Sequence, residues 1–350
     1  MTQQSSAVQE ELRQLASTFL SRECTPSHVR RAWEPDADVD RSLWHAMAEL
    51  DLLGINIPEA FGGLGLGDGD LVVLLEEAGY AGLPEPLLET AGIVAPIIRD
   101  HGTPEQQEQW LPGIVSGDIL ATVQLTNGGF APYGATADLV LIEHNDGLHL
   151  VAGKDVGVSS VQSMDYARHV AALSVTDYSP SRLPGAALED ARIRAAAAAA
   201  AVLNGVSLRM LDMTVSYAKE REQFGRAIGS FQAVKHMLAE IACAVETARP
   251  SAWYAAAAIG SGAPDAALSS SAAKAAANAA ASLASLHALQ VHGGIGFTWE
   301  HDLHLWMKKA KVLEESYGSA RYHHRLLGAA VLSCTDVVTE FGPALSATGA

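Results

Sequence analysis

The sequence predicts an α+β protein of three successive units: an N-terminal helical domain over 1–118, a small, truncated β domain over 119–187, and a C-terminal four-helix bundle over 188–334. Three observations carry that expectation. Apolar residues recur at helical spacing at both ends of the chain. Extended runs with a tight-turn signal lie between them. The helical segments after 188 are long enough to form a bundle.

In the first unit, Val8, Leu12, Leu15 and Phe19 share a helical spacing, and Val39, Leu43, Met47 and Leu50 repeat it until Gly54 stops the run. Thr103-Pro104-Glu105 marks another helix start, with proline in the first turn where its missing N–H costs no bond; that helix runs through Trp110. The pattern changes near 119. Residues 121–126 read as extended, 139–143 and 148–151 flank Asn145-Asp146-Gly147 as a hairpin, and 169–175 read as a further strand. Helices are expected again over about 190–220, 230–260, 265–290, 300–316 and 318–332, rich in alanine, which favours both helix and close helix contact. Residues 335–350 are small and polar and read as a disordered tail.

Composition narrows the function. The net charge of -17 disfavours a nucleic-acid partner, because a polyanion would be repelled. The one dense basic cluster, Lys308, Lys309 and Lys311, reads as a solvated helix face. Cys24, Cys243 and Cys334 are too scattered for a disulfide framework or a zinc site, and a reducing cytoplasm is the expected setting. The N-terminus has neither a basic start nor an apolar signal core, and the apolar run 195–202 is short and mostly alanine, so it reads as a buried helix and no membrane span is expected.

Four segments carry chemistry: 53–67 (LGINIPEAFGGLGLG), 221–232 (REQFGRAIGSFQ), 290–297 (QVHGGIGF) and 307–320 (MKKAKVLEESYGSA). The Arg221 guanidinium can offer paired donors to a phosphate pair, and Phe224 an apolar face to a ring. Alone, Arg221 reads rather as an exposed helix-end residue paired with Glu220 or Glu222. Gly293 and Gly294 permit positive φ and close backbone approach to a phosphate, or simply turn the chain between helices. His292 reads as a packing or surface residue. Pro58, Gly62 and Gly63 either shape a loop near a ligand or only turn the chain.

Together, in order and spacing, these segments resemble the acyl-CoA dehydrogenase family over nearly the whole chain, most weakly in the β unit. The resemblance implies α,β-dehydrogenation of an acyl-CoA thioester: a carboxylate removes the α-proton while FAD takes a hydride. It implies that Arg221, Gln223, Phe224, Phe231, Gln232, Gln290, Gly293 and Gly294 bind an FAD seated mainly in the neighbouring subunit, and that an electron-transferring flavoprotein is the acceptor.

The sequence departs from that family at its base. Tyr317 stands where the usual glutamate would be, and Ala195 where other members carry it. Tyrosine, with a pKa of about 10, is a poor base. Glu314 and Glu315 read as solvated helix-end acids; Glu315 is the weak alternative base, about 200° around a helix from Tyr317. The flavin-ring segments are also altered: Thr126-Asn127-Gly128 and Gly129-Phe130 replace one, and Lys154-Asp155-Val156-Gly157 stands near the other. An intact clamp beside an eroded flavin and base site resembles the second subunit of bacterial two-subunit members, some of which act on steroid side-chain CoA thioesters. The expectation is therefore an α2β2 assembly with a base-bearing paralogue. A self-sufficient homo-oligomer using Glu315, or a non-catalytic acyl-CoA-binding scaffold, are the alternatives.

Overall fold

The computed structural model describes residues 6–34, 37–126, 129–145, 147–178, 182–184 and 187–333. Asn127, Gly128, Cys334 and the 335–350 tail lie outside them.

The first unit is built from α1 (Ala7–Glu23), α2 (Pro26–Arg31), α3 (Arg41–Glu49), α4 (Asp68–Ala81), α5 (Leu87–Glu89), a π-helical turn (Thr90–Val94), α6 (Ala95–His101) and α7 (Pro104–Val115). Ser6 caps α1 and Thr103 caps α7, each with a glutamine three residues on that closes a capping box. In α1 the core face is Leu12, Ala16, Phe19 and Leu20, whereas Val8 and Leu15 of the expected stripe are exposed. Segment 54–67 folds back on itself: Leu64 N–H donates to the Gly54 carbonyl at 3.0 Å and Gly65 N–H to the Ile57 carbonyl at 2.8 Å. Gly62 has φ +89°, and a Cβ on Gly63 would collide with the Gly54 and Ile57 carbonyls. These glycines turn the chain.

The β unit holds two small sheets. β1 (Ala121–Gln124) pairs parallel with β3 (Leu139–His144), which forms the expected hairpin with β4 (Gly147–Ala152) through Asn145 at φ +46°. β2 (Phe130–Ala131) and β5 (Gly157–Ser160) flank β6 (Ala171–Ser174).

The C-terminal unit contains α8 (Ala187–Glu220), α9 (Gln232–Gly260), α10 (Ala266–His292), α11 (Leu303–Glu315) and α12 (Ala320–Ser333). α8 is long and apolar enough to cross a membrane, yet 72% of its most apolar window is buried within the fold. The helices α8, α9 and α10 pack mutually, α12 lies on α10, and α4 of the first unit packs on both α8 and α9. The α4–α8 approach needs glycine: a Cβ on Gly205 would run into the Glu76 carbonyl, and one on Gly79 into that of Val202.

Buried ion networks tie the helices together. Arg194 of α8 reaches Asp68 at 3.1 Å, Asp100 at 2.7 Å and Asp190 at 3.0 Å. Glu76 of α4 accepts from Arg249 of α9 at 2.6 Å and from Arg13 of α1 at 3.2 Å. The expectation for the lysine cluster is corrected here. Lys309 is buried and donates to the Leu83 carbonyl at 2.6 Å, because the face of α11 that carries it packs inward. Lys308 lies over the Trp33 ring at 4.7 Å, and Lys311 pairs with Glu314 at 3.0 Å.

Candidate active site

A cleft of about 1020 Å³ opens between the β unit and the helices. Thr126, Gly129, Phe130 and Arg168 line one wall; Ala195 and Ala196 of α8, Ser270 and Ser271 of α10, and the turn after α11 line the other. The fold thus brings Ala195 of α8 to one cleft with Glu315, at the end of α11, and Tyr317, in the turn after it. Pro58, Gly62, Gly63 and Lys154 are not among its lining residues.

The turn that carries Tyr317 is rigidly held. Tyr317 has φ +57° and Gly318 φ +105°, conformations that cost a side chain energy and persist only where neighbours fix them. The fixing groups are buried. Lys274, with no exposed surface, donates to the carbonyls of Leu313 and Gly318 at 3.0 Å each and to Asn278 Oδ1 at 2.8 Å. Burial lowers its pKa to about 7. His323 Nε2 lies 3.1 Å from the Tyr317 carbonyl, and desolvation pulls that imidazole down to about 4. It is therefore neutral near pH 7, with Nε2–H as the donor.

The phenol of Tyr317 turns inward and donates to Glu89 Oε1 at 2.9 Å. Arg168 donates to the same oxygen at 2.5 Å and to Ser316 Oγ at 2.9 Å. Glu89 and Arg168 are almost wholly buried, 2% and 4% exposed, which only such pairing permits. Desolvation, then the nearby Glu89 charge, push the Tyr317 phenol well above its ordinary pKa. Tyr133 shifts the same way for the same reasons. A phenol so held keeps its proton and takes none from a substrate. Glu315 is exposed on the cleft side, and Glu314 is half-buried against Lys311.

Arg221, Gln223, Phe224, Phe231, Gln232, Gln290, Gly293 and Gly294 occupy a different place. α8 ends at Glu220, and 222–227 form a two-stranded ribbon, β7 (Glu222–Gln223) and β8 (Arg226–Ala227). Phe224 and Gly225, at φ +54° and +76°, make its two-residue turn, a mirror-image turn that matches strand twist. Phe224 is 93% exposed and stacks edge-on against Phe231 at 6.1 Å. Tyr217, one turn before Arg221, stacks on His292 at 4.4 Å, which sets the Arg221 segment beside the Gln290–Gly294 turn. His292 is accordingly a buried packing residue. Neither Glu220 nor Glu222 pairs with Arg221 among the described residues. Arg221, Gln223, Gln232, Gln290, Gly293 and Gly294 are exposed; Gly293 has φ +64°, and a Cβ added to either glycine meets nothing within 4 Å. An unpaired guanidinium, an exposed ring and an open glycine turn fit a dinucleotide's diphosphate and adenine.

Sequence reasoning missed Glu89, Arg168, Tyr133 and Lys274. A signal existed for two of them: Glu89 stands alone in an apolar run and Lys274 alone among alanines, and an isolated charge in such a run needs a buried partner. Nothing local marks Arg168 or Tyr133.

Two helical units around a small β unit, with a cleft between them, are the architecture of an acyl-CoA dehydrogenase-type fold. The acyl-CoA dehydrogenase N-terminal domain model matches residues 6–118 and the C-terminal domain model residues 183–332. Acyl-CoA dehydrogenase IpdE2 of Mycolicibacterium smegmatis is 33% identical over 326 residues, covering 91% of this chain and 97% of that protein. A variant of the steroid ACAD Tcur3481-Tcur3483 superposes with a TM-score of 0.87 at 32% identity, covering 93% of this chain and 97% of that one. The ChsE4-ChsE5 complex from Mycobacterium tuberculosis gives 0.88 at 27% identity, covering 95% and 99%. The chain belongs to the acyl-CoA dehydrogenase family, whose members are FAD-dependent oxidoreductases acting on acyl-CoA.

Proposed function

We propose that this chain is the partner subunit of an α2β2 acyl-CoA dehydrogenase, completing the FAD site of a base-bearing paralogue. The observation that carries this is the contrast between its two half-sites. The position of the usual base holds a tyrosine whose proton is committed to Glu89, while the clamp around Arg221 and Gly293 faces outward. Similarity to a chain of the ChsE4-ChsE5 complex and to a steroid ACAD supports both the paired assembly and a bulky, steroid-derived acyl group.

FAD, when bound, accepts the hydride from the thioester's β-carbon. Arg221 supplies two N–H donors to the diphosphate, and Gly293 and Gly294 bring backbone N–H groups to the same charge. Phe224, with its exposed ring, would face the adenine, Phe231, whose ring carries the Arg226 guanidinium at 4.1 Å, would back it, and Gln223, Gln232 and Gln290 would offer hydrogen bonds. The paralogue's carboxylate takes the α-proton, and an electron-transferring flavoprotein reoxidises the assembly in the cytoplasm.

Purified alone, this chain is expected to carry little yellow flavin; co-expressed with the paralogue, the complex should hold about half the flavin of a four-site tetramer. A lone chain that is fully flavinated and bleaches with an acyl-CoA would overturn the partner requirement.

A second reading, self-sufficient catalysis by Glu315, draws on that residue's exposure to the cleft. It requires Glu315→Gln to abolish turnover with flavin binding intact. The partner reading expects Glu315→Gln to leave the turnover of the complex within about twofold.

A further inference from the structure

The ribbon that follows α8 carries a second exposed arginine, Arg226. β7 and β8 pair Gln223 with Arg226 and Glu222 with Ala227. Opposed residues of an antiparallel ladder point to the same side, and successive residues of a strand to opposite sides. Gln223 and Arg226 therefore share one face, and Glu222, the ribbon's one acid, falls on the other. The Ile228 N–H donates to the Arg221 carbonyl at 2.8 Å, which carries the ladder one step further. Arg221, two residues before Gln223, thus belongs to the face of Gln223 and Arg226. The two arginines are diagonal neighbours there, a spacing of about 7–8 Å in a regular ladder, across which two long side chains can converge on one ligand.

We propose that Arg226 is a second anion-binding residue of the clamp, taking one phosphate of the neighbour's dinucleotide while Arg221 takes the other; this rests on reading the Arg221 face as an FAD clamp. Three observations support it. No carboxylate pairs with Arg226 among the described residues, and α9, which follows the ribbon, has no acid in its first turn. In a chain with 40 acidic side chains against 23 Lys and Arg, two guanidiniums without a carboxylate on one small face are suited to an anion from outside the chain. The Arg226 guanidinium is also held in place, 4.1 Å from the centre of the Phe231 ring, and Phe231 meets Phe224 edge-on at 6.1 Å. Stacking on a ring occupies one face of the guanidinium and leaves its N–H edge free for phosphate oxygens. Finally, the charges match: a dinucleotide diphosphate carries a negative charge on each phosphate, one guanidinium answers one of them, and the pair answers both.

The test titrates FAD, followed by flavin fluorescence, into the flavin-free complex of this chain with its paralogue, at low and at high salt. Arg226→Gln is expected to weaken FAD binding about tenfold and to make it less sensitive to salt, because one charge-assisted contact is lost. Arg226→Lys, which keeps the charge, should recover most of the affinity. FMN, which lacks the adenylate half and the second phosphate, should bind wild type and Arg226→Gln equally well. Arg221→Ala in the same assay tests the clamp itself. If Arg221→Ala weakens FAD binding and Arg226→Gln does not, the second cation is overturned and the clamp stands. If neither variant changes FAD binding, the clamp reading is overturned and the role of Arg226 with it. A loss in Arg226→Gln that keeps the salt sensitivity of wild type, or that FMN shares equally, would make Arg226 a brace for the Phe231 ring and overturn the phosphate contact. Failure of Arg226→Gln to assemble with the paralogue would assign the guanidinium to a carboxylate of that subunit and overturn it likewise.

Discussion

Lys274 illustrates how a single buried residue sets the geometry of the candidate site. Its ammonium has no surface and donates to the carbonyls of Leu313, Glu314 and Gly318, which fixes the end of α11 and the Tyr317 turn. Desolvation is the largest cause of its depressed pKa, with Glu314 and Glu315 opposing. The folded value, about 7, lies below the ordinary lysine value of 10.5, so the unfolded chain binds more protons between the two. Stability from this group therefore rises with pH across that window and is lost as pH falls through about 7, by up to about 1.4 kcal/mol per pH unit. The difference in melting temperature between wild type and Lys274→Met, measured at pH 6.5 and pH 9, should move in favour of wild type at the higher pH. A difference that does not change with pH would contradict the assignment. Tyr317 and Glu89 show the opposite case: a phenol proton held by a carboxylate that also accepts from Arg168.

At the scale of elements, the packing of α4 on α8 is the contact that joins the two helical units. Because a side chain on Gly205 would strike the Glu76 backbone, Gly205→Val should destabilise the chain by about 1–3 kcal/mol or more, read as a lower chemical-denaturation midpoint; a neutral result would mean that the helices do not approach so closely. The long helices α8 to α10 and the Asn145 hairpin were legible from periodicity and turn residues, since each is specified by its own local pattern. α4 was not read from the sequence, because it is apolar on nearly every side and has no amphipathic stripe. The π turn at 90–94 was equally hidden: Gly92 lies against Ala198, a tertiary contact that no local spacing records. The ribbon around Phe224 was missed because its signal is a positive φ at phenylalanine rather than an Asn-Gly pair. The exposed Arg221 and Gly293 segments stand out in the sequence as contiguous motifs, whereas the Glu89–Arg168–Tyr317 cluster does not, because its members come from three distant segments.

At the scale of the whole molecule, the cleft lies between the β unit and the bundle, and the exposed Arg221 and Gly293 segments, joined through the Tyr217–His292 stack, are not among its lining residues. The central claim is that Arg221 grips the diphosphate of an FAD seated in the paralogous subunit. Co-expressing the Arg221→Ala chain with the unaltered paralogue and titrating FAD into the purified complex tests it directly. The account predicts an assembled complex whose flavin affinity falls at least tenfold, a loss of about 1.4 kcal/mol or more. An assembled complex that binds flavin as tightly as wild type would contradict it.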